Sequence, residues 1–124
     1  MKKITCKVGG TTIELRNVKE VYGHDDSIPF NADIYVQGVY AGYAYNDGWG
    51  GDSVIRADNE KSRNELQELS NKLKKMYVVY DAPYGTTEYL KASLRFLIDL
   101  MVEDCLYYGK NEYDFAKNFT DKVK

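Results

Sequence analysis

His24 is the only histidine of the chain and stands in Gly23-His24-Asp25-Asp26, where an imidazole beside two carboxylates offers an acid, a base or a metal ligand. One histidine cannot build the usual zinc site, which takes three or four protein ligands, so a metal there would rest on carboxylates and suit weak magnesium or calcium binding. Cys6 and Cys105 are far apart in apolar settings, and no local cysteine–histidine signature accompanies them. Ser27 and Ser53 lack a nucleophile elbow, and the chain has no phosphate-binding lysine loop of the nucleotide-hydrolase kind. The reading is therefore of a binder and not an enzyme, with no catalytic residues, no metal and no cofactor.

Residues suited to gripping a ligand are better represented. The stretch Tyr43-Ala44-Tyr45-Asn46-Asp47-Gly48-Trp49-Gly50-Gly51 packs three glycines around the only tryptophan. Asn46-Asp47-Gly48 is a turn signal and Gly50-Gly51 permits a second reversal, which puts Trp49 near the tip. Successive amides of such a loop can cradle an anion, and Arg56 would complete a phosphate clamp. The competing reading is a structural turn with Trp49 folded onto the sheet. Four arginines are present, and Arg95 interrupts an apolar run shortly after Pro83-Tyr84-Gly85-Thr86-Thr87. With Arg95 one and a half turns beyond that loop, a helix starting there would bring Tyr84, Thr87 and Arg95 near one another at its start, where unpaired amides also favour anions. Tyrosine occurs 12 times in 124 residues, an excess that suits sheet faces, subunit contacts or stacking on flat ligands. The expected binding set is His24, Trp49, Arg56, Tyr80, Tyr84, Thr87 and Arg95. Rings from Trp49, Tyr80 or Tyr84 would stack, Arg56 and Arg95 would meet phosphates, and His24 and Thr87 would meet polar edges.

Positioning these residues requires a framework, and hydropathy patterning outlines one. Lys3 to Val8 alternates, Gly9-Gly10 is a hairpin signal, and Thr11 to Tyr22 resumes β-rich character. Phe30, Ala32, Ile34 and Val36 alternate with polar residues, Gln37-Gly38 turns the chain into Val39 to Tyr45, and a short strand follows around Asp52 to Ala57. Asp58-Asn59 can cap a helix in which Leu66, Leu69, Leu73 and Met76 recur at helical spacing. Tyr77-Val78-Val79-Tyr80 suits a last strand. A second helix is expected from Glu88 to about Tyr108, ended by Gly109, with an apolar stripe from Leu90 through Leu106. The fold class is α+β: one domain over 1–124 with an antiparallel sheet of about five to six strands and two main helices. The stripe is wider than one sheet contact needs, and Tyr113, Phe115 and Phe119 would be exposed unless docked. Both features point to a subunit interface along the C-terminal helix and to a homo-oligomer.

Composition narrows the setting. A net charge of −2 with basic residues spread along the chain argues against DNA or RNA as partner, and no apolar run is long enough for a membrane. The start, Met1-Lys2-Lys3-Ile4-Thr5-Cys6, continues into strand pattern without a secretion signal, and two free thiols fit a reducing cytoplasm.

Phe30-Asn31-Ala32-Asp33-Ile34-Tyr35-Val36-Gln37-Gly38, followed by Gly42 and Asn46-Asp47-Gly48-Trp49-Gly50-Gly51, resembles a group of small phage and mobile-element proteins. Their shared feature is a strand hairpin ending in an Asn-Asp-Gly-x-Gly-Gly loop. Within that group the chain resembles the Thoeris anti-defence proteins of the first type, over roughly its first half plus a long C-terminal helix. The resemblance implies a cytoplasmic phage protein, acting in the host bacterium, that sequesters a cyclic nucleotide immune signal of the glycocyclic ADP-ribose type without degrading it. It also implies an oligomer that holds this ligand between subunits. The alternative is an anti-CRISPR-like inhibitor that blocks a host defence protein by direct contact through the tyrosine-rich faces.

Overall fold

The computed structural model describes residues 2–21, 28–49, 51–81 and 85–121. Five strands form an antiparallel meander: β1 (Ile4–Val8), β2 (Thr11–Glu20), β3 (Phe30–Val36), β4 (Val39–Asn46) and β5 (Val54–Ala57), in sheet order β1-β2-β3-β4-β5. Alternation decides which face each side chain takes. Ile4, Cys6 and Val8, then Ile13 and Leu15, then Phe30, Ala32, Ile34 and Val36 are buried on one side. The β3–β4 turn has both Gln37 (φ 53°) and Gly38 (φ 81°) in the left-handed region, the primed geometry whose twist matches the strands it joins.

Two helices close the buried face. Helix α1 (Glu60–Leu73) is capped by Asn59, whose side chain accepts from the Ser62 amide, and it packs on β4 and β5 through Leu66, Leu69 and Leu73. Helix α2 (Leu94–Tyr108) packs on β1 and β2 through Leu94, Leu97, Ile98, Met101, Val102 and Cys105. Gly109 ends it in the left-handed region (φ 64°), as its position in the sequence predicts. None of the described helices is long and apolar enough to cross a membrane.

A second, three-stranded sheet in the order β7-β6-β8 combines β6 (Tyr77–Asp81), β7 (Thr87–Lys91) and β8 (Phe119–Thr120). Here the structure corrects the reading of the second helix. The stretch Thr87–Lys91 is strand, paired with β6 from Asp81↔Thr87 to Tyr77↔Lys91, and the helix starts only at Leu94. Ser93 is the cap, with its hydroxyl accepting from the Phe96 amide at 3.0 Å. The edge of β6 needs a hydrogen-bonding partner, and Ser93 stands directly before the run that carries the helical apolar spacing. Leu90, assigned above to the helical stripe, is 42% exposed on β7.

The apolar surplus that pointed to a subunit interface is largely absorbed within the chain. The broad stripe of α2 covers the sheet, while Tyr113 and Phe119 are buried and Phe115 packs against the core. Phe115 stacks on Phe119 with ring centroids 4.5 Å apart, within the short helix α3 (Phe115–Asn118) and the strand after it. Residues 111–113 run beside β1: the Thr5 amide donates to Asn111 O and the Tyr113 amide donates to Thr5 O.

Gly42 carries a strict constraint. It sits at a bulge in the β3–β4 ladder with φ 147°, and a Cβ there would lie 1.9 Å from the Arg56 carbonyl oxygen. Gly42→Ala is expected to destabilise the fold by about 2–4 kcal/mol by forcing β5 away from β4. Urea denaturation of the variant checks this, and an unchanged midpoint would show that the close approach is not needed.

Candidate functional site

The outer face of the five-stranded sheet carries a cluster of tyrosines with an arginine stacked on it. β3 and β4 direct Tyr35, Tyr40, Tyr43 and Tyr45 to this side. Tyr43 and Tyr45 lie two residues apart on one strand and stack, with centroids 6.1 Å apart and planes inclined by 23°. Tyr35 meets Tyr40 edge-on at 5.6 Å, and the Arg16 guanidinium lies 3.8 Å over the Tyr35 ring. The Glu14 carboxylate bonds Arg16 and holds it firmly protonated. Partial loss of hydration among its neighbours, together with the carboxylates of Asp33 and Asp58, raises the Tyr40 phenol above its ordinary range, which keeps it neutral.

A second bulge gives this face its depth. In β2 the alternation changes phase after Leu15: Val18, not Asn17, is the next buried residue. The register steps from Arg16↔Asp33 to Lys19↔Asn31, and Asn17 adopts φ 54°. The Val18 amide donates to Lys2 O at 3.0 Å, which brings the start of the chain alongside the bulge. Asn17 Nδ2 donates to Asp33 Oδ2 at 2.6 Å. A hollow of about 680 Å³ results, with Lys2, Asn17, Lys19, Asn31, Asp33 and Tyr43 in its lining. Arg56 pairs with Tyr43 across the β4–β5 ladder, on the side of Tyr43 away from Asp33.

The arrangement supplies three kinds of contact within a few residues of one another. Tyr43, 45% exposed and backed by Tyr45, offers a ring face. Lys2 and Lys19 in the lining, with Arg56 beside Tyr43 on the next strand, offer positive charge, and the amides of Asn17 and Asn31 with the Asp33 carboxylate offer donors and acceptors. A flat, polar, anionic molecule fits that chemistry.

The residues singled out from the sequence are dispersed by comparison. Arg56 joins the tyrosine face. Trp49 is 69% exposed in the loop after β4, and so is not a plug on the sheet. Thr87 is exposed at the start of β7, opposite Asp81, six residues before the cap of α2, so no helix start brings it to Arg95. Tyr80 pairs with Glu88 in the β6–β7 ladder. Arg95 lies in the first turn of α2, with Asp52 at 3.6 Å. His24 and Tyr84 fall outside the described residues. Lys2, Asn17, Lys19, Asn31, Asp33 and Tyr43 stand outside the set expected from the sequence, although the step from Leu15 to Val18 carries the signal of a bulge and the β3 alternation puts Asn31 and Asp33 outward.

The glycine loop is held together from within. The Gly48 amide donates to Asn46 Oδ1 at 2.8 Å and the Trp49 amide to Asp47 Oδ1 at 3.1 Å, so two amides that an anion cradle would use are engaged. Buried Asn46 also donates through Nδ2 to Gly51 O and to Ser53 Oγ, and Ser53 Oγ donates to Asp99 Oδ1 at 2.5 Å on α2. Asp47, Asp52 and Asp99 add negative charge around this loop, which disfavours an anion there.

The thiols do not compete as reactive groups. Burial, with the Asp114 carboxylate adding to it, pushes the Cys6 thiol up to about 12, and burial also raises Cys105. Among the described residues no group of three His, Cys, Asp or Glu side chains is placed to hold a metal ion.

Asp99 gives this network a pH dependence. Although Asp99 stays in contact with solvent, partial desolvation of its carboxyl raises it above the ordinary range, with Asp52 adding to the shift, while the Ser53 hydrogen bond and Arg95 act against it. The folded protein therefore binds this proton more tightly than the unfolded chain. The stabilising contribution is complete below the ordinary carboxylate range and is lost as pH rises through the raised value. Asp99→Asn keeps an acceptor for Ser53 without the charge. Thermal melts across the acid range should show a smaller loss of Tm with rising pH in the variant than in the wild type, and parallel curves would refute the assignment.

Comparison of the chain with protein-family models, with curated proteins and with solved structures returns no significant match.

Proposed function

We propose that the protein is a non-catalytic binder of a small phosphate-bearing nucleotide, taken up on the open tyrosine face of the five-stranded sheet. The observation that carries this reading is the stacked Tyr43–Tyr45 pair beside a hollow of about 680 Å³, between two lysines on one side and Arg56 on the other. Ligand pockets span roughly 300–1,000 Å³, so the hollow is of nucleotide size. A base would stack on Tyr43, phosphate oxygens would meet Lys2, Lys19 or Arg56, and the base edge would meet Asn17, Asn31 and Asp33. The net charge of −2 favours a compact anion over a nucleic-acid polymer.

The resemblance of the Asn46-Asp47-Gly48-Trp49-Gly50-Gly51 hairpin to phage signal sponges directs the reading to a cyclic nucleotide alarm signal. Holding that signal unaltered in the host cytoplasm would keep an immune effector switched off. The hollow is open on one side, and a second copy of the chain closing it would lower the ligand's exposure, which makes a homo-oligomer part of the proposal.

One observation favours a second reading. Tyr40 and Tyr43 are exposed together on the outer face of the β3–β4 hairpin, a surface of the kind that binds proteins. In that case the face would block a host defence protein by covering it.

Calorimetry with glycocyclic ADP-ribose and with cyclic dinucleotides separates the two, combined with chromatography of the recovered ligand. Saturable binding with the ligand returned intact is expected. Tyr43→Ala should weaken binding about tenfold or more, since stacking on an aromatic ring contributes about 1–3 kcal/mol per base. Absence of heat with every such ligand, or recovery of a converted product, would overturn the proposal.

A further inference from the structure

We propose that the hollow between β5, α1 and the start of α2 is a second binding site, for a small anion carried on an apolar group. It measures about 410 Å³, and Ile55, Leu66 and Leu94 are among the apolar residues lining it. Leu66 and Leu94 are buried and Ile55 is half-buried against the core, so this wall is firm. Two of the four arginines also line it, Arg63 from α1 and Arg95 from α2. Among the described residues Arg63 has no ion-pair partner. Arg95 has Asp52 at 3.6 Å, the two side chains being 58% and 87% exposed, and it also feels the Asp99 carboxylate one turn along α2, so a ligand anion must compete with both. An ion pair so open to water contributes little, and exchanging it for a ligand anion costs correspondingly little. The Ser93 hydroxyl oxygen accepts from the Phe96 amide, which leaves the hydroxyl proton available to donate.

The chemistry of the ligand follows from this combination. Guanidiniums recognise a carboxylate or phosphate through paired, planar hydrogen bonds, and the apolar wall gives surface to a ring or short chain attached to it. Neither half alone would use the whole hollow. The site is also independent of the tyrosine face. Ile55 and Ala57 alternate with Arg56 along β5, so the hollow and Tyr43 lie on opposite sides of the sheet.

An NMR titration with phenyl phosphate, run beside inorganic phosphate and benzyl alcohol, tests the proposal. Saturable shifts of the Arg63, Ser93 and Leu94 amides are expected with phenyl phosphate, with affinity about tenfold above that for either half. Replacing both arginines, Arg63→Gln with Arg95→Gln, should weaken binding about tenfold, and Tyr43→Ala should leave it unchanged. Asp52→Asn removes a carboxylate that would repel the bound anion and should tighten binding modestly. Equal shifts with inorganic phosphate alone, undiminished affinity in the double variant, or no gain with Asp52→Asn would each overturn the assignment.

Discussion

Burial of Ile4, Ile13, Leu15, Ile34 and Val36 beneath the helices sets the phase of alternation in the first three strands, and with it the side chains that must face outward. A slip of one residue would send this apolar set into water and bring Glu14, Asp33 and Tyr35 inside, at a cost of many kcal/mol. The outer face is thus a by-product of the inner one. Its composition is unusual because tyrosines hold many of the outward positions on β3 and β4, where a solvated sheet would carry mostly charged and small polar residues.

Two bulges modify that rule in opposite ways. At Gly42 the ladder admits an extra residue so that β4 can hold Tyr40 against Tyr35 and still point Tyr43 outward, and the chain tolerates this only because no Cβ is present. At Asn17 the extra residue opens β2 and produces a depression where a regular sheet would be flat. The Asn46, Ser53 and Asp99 network then fastens the far end of β4 to α2. A loop that a composition-based reading assigns to a ligand is accounted for largely by this attachment.

The meander, both caps that use Asn59 and Gly109, and the buried face were legible because each rests on a local pattern: alternation, helical spacing or a turn residue. The strand over Thr87–Lys91 was not, because Leu90 matches helical spacing with Leu94 and Leu97 while its pairing with Val78 involves residues a dozen positions away. The docking of Tyr113 and Phe119 was equally hidden, since it depends on β6 and β1 being nearby in space. For the site, rarity in the sequence marks Trp49 and His24 but says nothing about which side chains the fold gathers. Lys19, Asn31 and Asp33 are unremarkable in type and acquire their interest only from the bulge that gathers them.

The order of strand pairing has a consequence for how the chain emerges during synthesis. Each of β1 to β5 pairs with its immediate neighbour in sequence, so that sheet needs only short loop closures and can assemble as residues leave the ribosome. The contact between Thr5 and Asn111 spans 106 positions, and β6 gains its second partner only when Phe119 and Thr120 arrive. The inner face of the meander therefore waits for α2 in a partly uncovered state, and that interval is when the nascent chain is most exposed to aggregation or capture by a chaperone.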